Sequence, residues 1–159
     1  MRLKNKIAVI TGAGSGFGKG IAIRFAEEGA KVVIADINLD SAEKVAAEIG
    51  ENALAFEGDV SQDGDVFSIF ECTLKHFGRV DILVNNAGTT HRNKPMTEVT
   101  EEEFDQIFAV NVKSVFLTAK HGVPLMKKQG HGVILNVAST AGLRPRPGLA
   151  WYNLSLIHI

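Results

Sequence analysis

The stretch TGAGSGFGKG at 11–20 constrains this chain more than any other. It follows the apolar run KIAVIT (6–11) directly and leads into a helical pattern. Glycines between a strand and a helix leave bare backbone N–H groups at the helix start, where the dipole also attracts an anion. A phosphate is expected there, and the spacing selects its kind. A P-loop needs a glycine five residues before Gly18 and a Ser or Thr after Lys19, but the chain has Ala13 and Gly20. G-x-G-x-x-G fails as well, because position 17 is Phe17. What fits is G-x-x-x-G-x-G on Gly12, Gly16 and Gly18, and in this setting it points to a dinucleotide.

The rest of the chain repeats the same alternation. KVVIAD (31–36), ALAFEG (53–58), DILVNN (81–86) and GVILNVA (132–138) read as strands. They are apolar almost throughout, as parallel strands covered on both faces must be. In 62–77, apolar residues recur at spacings of three and four. The same holds in 100–129 for Phe104, Ile107, Phe108, Val112, Val115, Phe116, Ala119 and Val123, which predicts one long helix. Thr100 with Glu103 is a capping box for its start. Pro124 should bend its last turns. Gly29, Gly50, Gly78 and Gly130 stand where helices need a left-handed residue to end. The predicted fold is a doubly wound α/β domain: a mainly parallel sheet, helices on both faces, strand order 3-2-1-4-5-6. No sixth strand follows 132–138, so that strand should be a bare apolar edge. Part of the apolar face of 100–129 should likewise stand exposed.

Asp36 ends the second strand, where a carboxylate can accept from both hydroxyls of an adenosine ribose and repel a 2′-phosphate. Its neighbours Ser15 and Ile37 offer no cation, so NAD is favoured over NADP. Lys19 reads as solvated. The chain has 159 residues and a net charge of −1. That fits one domain and suggests neither a nucleic-acid nor a membrane-surface partner. The apolar run at 7–10 is too short for a signal peptide or membrane span, so a cytoplasmic protein is expected. The single Cys72 reads as a small core hydrophobe. The histidines lack metal-ligand spacing, and no metal is expected.

The glycine loop, NNAG at 85–88, Asn111, and Ser139 followed by Tyr152 together resemble the short-chain dehydrogenase/reductase family, from Lys6 to Asn153. The resemblance implies a nicotinamide-dependent oxidoreductase acting on alcohols and ketones. A sugar or polyol dehydrogenase or a 3-oxoacyl thioester reductase is the expected type, and the full-length form should be a homo-oligomer. By the same resemblance Gly12, Ser15, Gly16, Phe17 and Gly18 line the pyrophosphate. Asp59 and Val60 flank the adenine. Asn86, Ala87 and Gly88 lie along the cofactor, and Asn111, Ser139 and Tyr152 are catalytic.

The chemistry suits these residue types. Reducing a ketone needs a proton donor at oxygen while hydride arrives at carbon. A phenol can give that proton, and a Ser hydroxyl can hydrogen-bond the same oxygen. A free phenol titrates near about 10, so using it as a base calls for a nearby cation. The family pattern is Tyr-x-x-x-Lys, and position 156 is Leu156. Two readings follow. In one, the chain is a non-catalytic dinucleotide-binding protein. In the other, LSLIHI (154–159) is a non-native tail, because CTG TCT CTT ATA CAC ATC, which resembles a sequencing-adapter end, encodes it. The second is preferred. It makes 1–153 the N-terminal part of a dinucleotide-binding domain and 154–159 foreign. The 159-residue chain is then expected to be inactive.

Overall fold

The computed structural model describes residues 1–157. Residues 158 and 159 of the expected tail lie outside the described residues.

Five parallel strands form one sheet: β1 (Ile7–Thr11), β2 (Lys31–Asp36), β3 (Ala53–Glu57), β4 (Ile82–Asn85) and β5 (Val133–Asn136). Their order is β3-β2-β1-β4-β5. Register is fixed by alternating side chains that pack on opposite faces. Ala8, Ile10, Val32, Ile34 and Val84 meet Ala22 of α1 (Gly16–Glu27) and Val45 of α2 (Leu39–Ile49). Val9, Val33, Ala35 and Leu83 meet Val66 and Ile69 of α3 (Asp63–Phe77). Both faces are covered at β1, β2 and β4, which is why these strands carry no polar alternation, whereas β5 is exposed along its length. The glycines that close the helices take positive φ at Gly29 (91°) and Gly78 (78°).

The predicted long helix is interrupted. It runs as α4 (Glu101–Phe108), a π-helical segment (Ala109–Lys113) and α5 (Ser114–Gln129). The Thr100–Glu103 capping box opens α4 as expected. Pro124 lies inside α5. The buried face mixes apolar and polar residues. Ile107, Asn111, Ser114, Leu117, Thr118, Gly122 and Met126 turn inward, while Val112 and Phe116 are exposed, Phe116 at 63%. The inward polar groups can be buried because each has a partner: Thr118 Oγ1 donates to Asn85 Oδ1 at 2.8 Å, and Asn111 bonds as described below.

One smaller expectation needs correction. Cys72 is half-buried on α3, with its sulfur 3.5 Å from His76 Nδ1, because α3 turns that position toward the helix edge. Lys19 stays solvated as expected while pairing with Glu48 of α2 at 2.7 Å. The β5 edge is bare as predicted, with Val133 61% exposed. At the opposite strand ends Asp81 is buried and accepts from the Ile7 N–H (2.8 Å), from Arg79 and from His131 (2.8 Å). Burial alone would raise its carboxyl, but these three donors outweigh it and hold Asp81 below the usual carboxylate range. A last helix, α6 (Ala150–Leu156), carries Tyr152. Its Ser155 and Leu156 are buried, so positions 154–156 of the expected tail continue the helix.

Candidate active site

The site lies at the carboxyl ends of the strands, where ligands enter doubly wound sheets. The glycine loop comes first. Gly12 has φ +62°, and a Cβ there would come 2.8 Å from Ala87 Cα. A Cβ on Gly18 would collide with the Gly12 carbonyl oxygen. Only glycine lets the loop, the start of α1 and the turn after β4 meet this closely. Ser15 caps α1 without a side-chain hydrogen bond, so the first N–H groups of the helix keep no side-chain partner. Gly16 has φ +55° with open space beside it. Bare amides beside a void left by missing side chains fit a diphosphate.

Asn86 and Thr11 staple the loop to the turn after β4. Asn86 Nδ2 donates to the carbonyls of Thr11 (2.9 Å) and Gly12 (3.0 Å). Thr11 Oγ1 accepts from the N–H groups of Asn86 (3.0 Å) and Ala87 (3.1 Å). Asp36 closes the far end. Its carboxylate accepts from the Gly14 N–H (2.8 Å) and the Asn38 N–H (3.0 Å), which fixes its orientation and leaves lone pairs free.

Two clefts result. The first holds about 460 Å³ and is lined by Gly12, Ser15, Gly16, Asp36, Asp59 and Val60, among others. The second holds about 310 Å³ and contains Asn111, Ser139, Tyr152 and Leu156. Phe17, Asn86, Ala87, Gly88 and Thr89 border both, so the two clefts lie side by side and share a wall. Of the residues expected from the sequence, Gly18 alone is absent from the walls. It is buried beneath Gly12 and serves the packing.

In the second cleft Ser139 Oγ accepts from the Ala141 N–H at 3.1 Å, which leaves its proton free to be donated. Asn111 sits in the π-helical segment. Its Oδ1 accepts from the Thr89 N–H (2.8 Å), and its Nδ2 donates to the Thr89 carbonyl (2.9 Å) and to Ser155 Oγ (2.9 Å). Both amide protons are used, and one Oδ1 lone pair remains for a water. Thr11, Thr89, Ser155 and Asn153 escaped the sequence reading, since a lone Thr or Ser carries no signal until its partners are known. His91, one of the histidines without metal spacing, has its Nδ1 2.7 Å from the Arg92 carbonyl, and its buried Nε2 has no partner among the described residues. Those residues hold no cluster of three side chains fit for a metal ion and no helix long and apolar enough to cross a membrane.

The short chain dehydrogenase family model matches residues 6–155. The chain belongs to this family. It is 47% identical over 156 residues to 4-formylbenzenesulfonate dehydrogenase of Comamonas testosteroni, an alignment covering 96% of this chain and 62% of that protein. The NADH complex of the Brucella melitensis 3-ketoacyl-(acyl-carrier-protein) reductase superposes with a TM-score of 0.96 at 52% identity, covering 98% of this chain and 66% of that one. NAD+-bound xylitol dehydrogenase superposes with a TM-score of 0.94 at 31% identity, over 98% and 61%. The chain thus spans under two thirds of the length of these short chain dehydrogenase relatives.

Proposed function

We propose that this member of the short chain dehydrogenase family serves an oxidoreductase that interconverts a secondary alcohol and a ketone, with a nicotinamide dinucleotide as hydride carrier. The polyol and 3-oxoacyl types are the substrate classes in view. One observation carries the reading: Ser139 and Tyr152 line a cleft that shares its Asn86–Gly88 wall with the glycine-loop cleft. Gly12, Ser15 and Gly16 would hold the diphosphate, Asp59 and Val60 the adenine, and Asp36 the ribose hydroxyls. The bound cofactor supplies or takes the hydride. Tyr152 gives or takes the proton at the substrate oxygen. Ser139 donates a hydrogen bond to that oxygen as charge grows. Asn111 positions the Thr89 loop and α6, and its spare lone pair can hold a water.

NAD is the proposed form. The Asp36 carboxylate is pinned by two N–H groups with no cation at 15 or 37, so a 2′-phosphate would meet uncompensated charge. Asp36→Ala should narrow the gap between NADH and NADPH affinities. A chain that prefers NADPH would refute this assignment. The exposed Val112 and Phe116 face supports a homo-oligomer for the complete protein.

Leu156 favours a second reading, a non-catalytic dinucleotide binder, because it puts an apolar side chain on the catalytic cleft. The two separate experimentally. Leu156→Lys can extend its ammonium into the same cleft. We expect the Leu156 chain to be inactive with NAD over a panel of secondary alcohols. Leu156→Lys should gain turnover that Tyr152→Phe abolishes, with NADH affinity unchanged. Because the chain spans under two thirds of its relatives' length, residue 156 of the complete protein decides between the two: Lys selects the enzyme, and any other residue favours the binder. No NADH binding at all would refute both.

A further inference from the structure

The glycine-loop cleft and the Tyr152 cleft meet along Phe17, Asn86, Ala87, Gly88 and Thr89. A dinucleotide with its diphosphate on the glycine loop and its nicotinamide at Tyr152 has to cross this wall. Its covalent order fixes what crosses: the ribose between the diphosphate and the nicotinamide. That sugar carries hydroxyls, and a polar group leaving water needs a hydrogen-bond partner.

Four of the five wall residues have no side-chain proton to give. Phe17 is apolar, and Ala87 and Gly88 have no polar side chain. Both Nδ2 protons of Asn86 go to carbonyls, those of Thr11 (2.9 Å) and Gly12 (3.0 Å). Thr89 is the fifth. It is half-buried, and its hydrogen bonds run through its backbone. Its N–H donates to Asn111 Oδ1 at 2.8 Å, and its carbonyl accepts from Asn111 Nδ2 at 2.9 Å. Its hydroxyl has no partner among the described residues, so it is the uncommitted side-chain donor of the shared wall.

The backbone that carries this hydroxyl is tied to the reacting end. Asn111 is buried, and its Nδ2 also donates to Ser155 Oγ at 2.9 Å. Ser155 Oγ in turn donates to the Tyr152 carbonyl at 2.8 Å. Three residues thus register Thr89 to the backbone of Tyr152. Threonine is also stiff at χ1, so the hydroxyl has few places to be. A donor so restricted costs little entropy to use.

We propose that the Thr89 hydroxyl is a positioning group: it donates a hydrogen bond to the ribose that joins the diphosphate to the nicotinamide, and so sets where the nicotinamide stands relative to Tyr152. The inference rests on the dinucleotide reading given above and adds a residue to it.

Three ligands dissect the contact. ADP ends at the diphosphate, ADP-ribose adds the second ribose, and NADH adds the nicotinamide. Calorimetric titration of the full chain should show ADP-ribose and NADH binding tighter than ADP. Thr89→Val keeps the branched shape and the backbone bonds to Asn111 and removes the hydroxyl. It should weaken ADP-ribose and NADH alike by about threefold to tenfold, the value of one hydrogen bond, and leave ADP unchanged. Thr89→Ser restores the hydroxyl and should recover most of that affinity. The melting temperature of Thr89→Val should match its parent's, because the hydroxyl bonds nothing in the protein. Thr89→Val binding all three ligands like its parent would overturn the proposal. So would ADP-ribose binding no tighter than ADP in the parent, an equal weakening of ADP, or a weakening of NADH alone, which would put the hydroxyl at the nicotinamide ring. A parent that bound neither ADP nor NADH would refute the dinucleotide reading and this inference with it, so the two failures are distinguishable.

Discussion

Thr11→Val tests how the site is held together. Valine keeps the shape of Thr11 and removes its hydroxyl. Thr11 is buried, and its Oγ1 accepts from the N–H groups of Asn86 and Ala87. A buried N–H left without a partner costs about 1–3 kcal/mol. Asn86 and Ala87 are only half-buried and border the cleft, where water can take over part of the loss. The low end applies to each, so the sum is about 2 kcal/mol. Unfolding entropy near about 2.1 cal/mol/K per residue gives roughly 0.3 kcal/mol/K for a chain of 159 residues. The melting temperature should then fall by about 6 °C. Thr11→Ser keeps the hydroxyl and loses one buried methyl, which costs about 1 kcal/mol and about half that shift. NADH affinity separates the two further. The turn that borders both clefts loosens only in Thr11→Val, where about tenfold weaker binding corresponds to 1.4 kcal/mol. Thermal unfolding and NADH fluorescence titration read both quantities. If Thr11→Val melted within 1–2 °C of its parent, on the scale of about 2–4 °C per kcal/mol, and bound NADH equally well, the staple described here would be wrong.

Asp81→Asn should cost about 2–3 kcal/mol at pH 7, the low end for breaking a buried ion pair, because Arg79 is partly exposed. The folded Asp81 carboxyl titrates below its unfolded value of about 3.9, so its stabilisation is present above that pH and lost as pH falls through the folded value. Denaturation midpoints from pH 3 to 7 should slope downward in acid for the parent and less so for Asp81→Asn; equal midpoints at pH 7 would refute the clasp. On the bare edge, Ile134→Lys places a charge beside unpaired backbone groups and should reduce concentration-dependent association. Light scattering measures this, and undiminished association in the variant would mean that β5 is not the sticky surface.

What the sequence disclosed follows from how local each signal is. Gly12 and Gly18 are required by backbone contacts within the loop and with the next turn, so their spacing alone announces them. The central strands are legible because both of their faces are covered. The interrupted helix is not legible in this way. Phe104, Ile107, Phe108, Val112 and Phe116 recur with helical spacing, and the periodicity counts hydrophobicity without knowing what packs where. The face that packs inward carries Ile107, Leu117 and Met126 together with the polar Asn111, Ser114 and Thr118. Its burial depends on partners far along the chain, Thr89, Ser155 and Asn85, which no window around 111 contains. The π-helical segment falls at Asn111, as such segments often do at functional positions. The catalytic candidates were legible only through the family resemblance, because Ser139 and Tyr152 carry no pattern of their own.

These distant ties also settle how much rests on position 156. Three independent contacts set α6 in place: Asn153 bonds both backbone groups of Arg146, Asn111 bonds Ser155, and Gly142 packs against the Leu156 carbonyl so closely that a Cβ would come within 2.7 Å. None of them involves the side chain of residue 156 beyond its Cβ. The helix therefore aims that side chain at the Tyr152 cleft whatever it is, and Leu156 lies there buried. A lysine there would line the same cleft as Tyr152, whose ionisation a cation favours. Turnover should accordingly respond to substitution at 156 far more than stability or NADH affinity does.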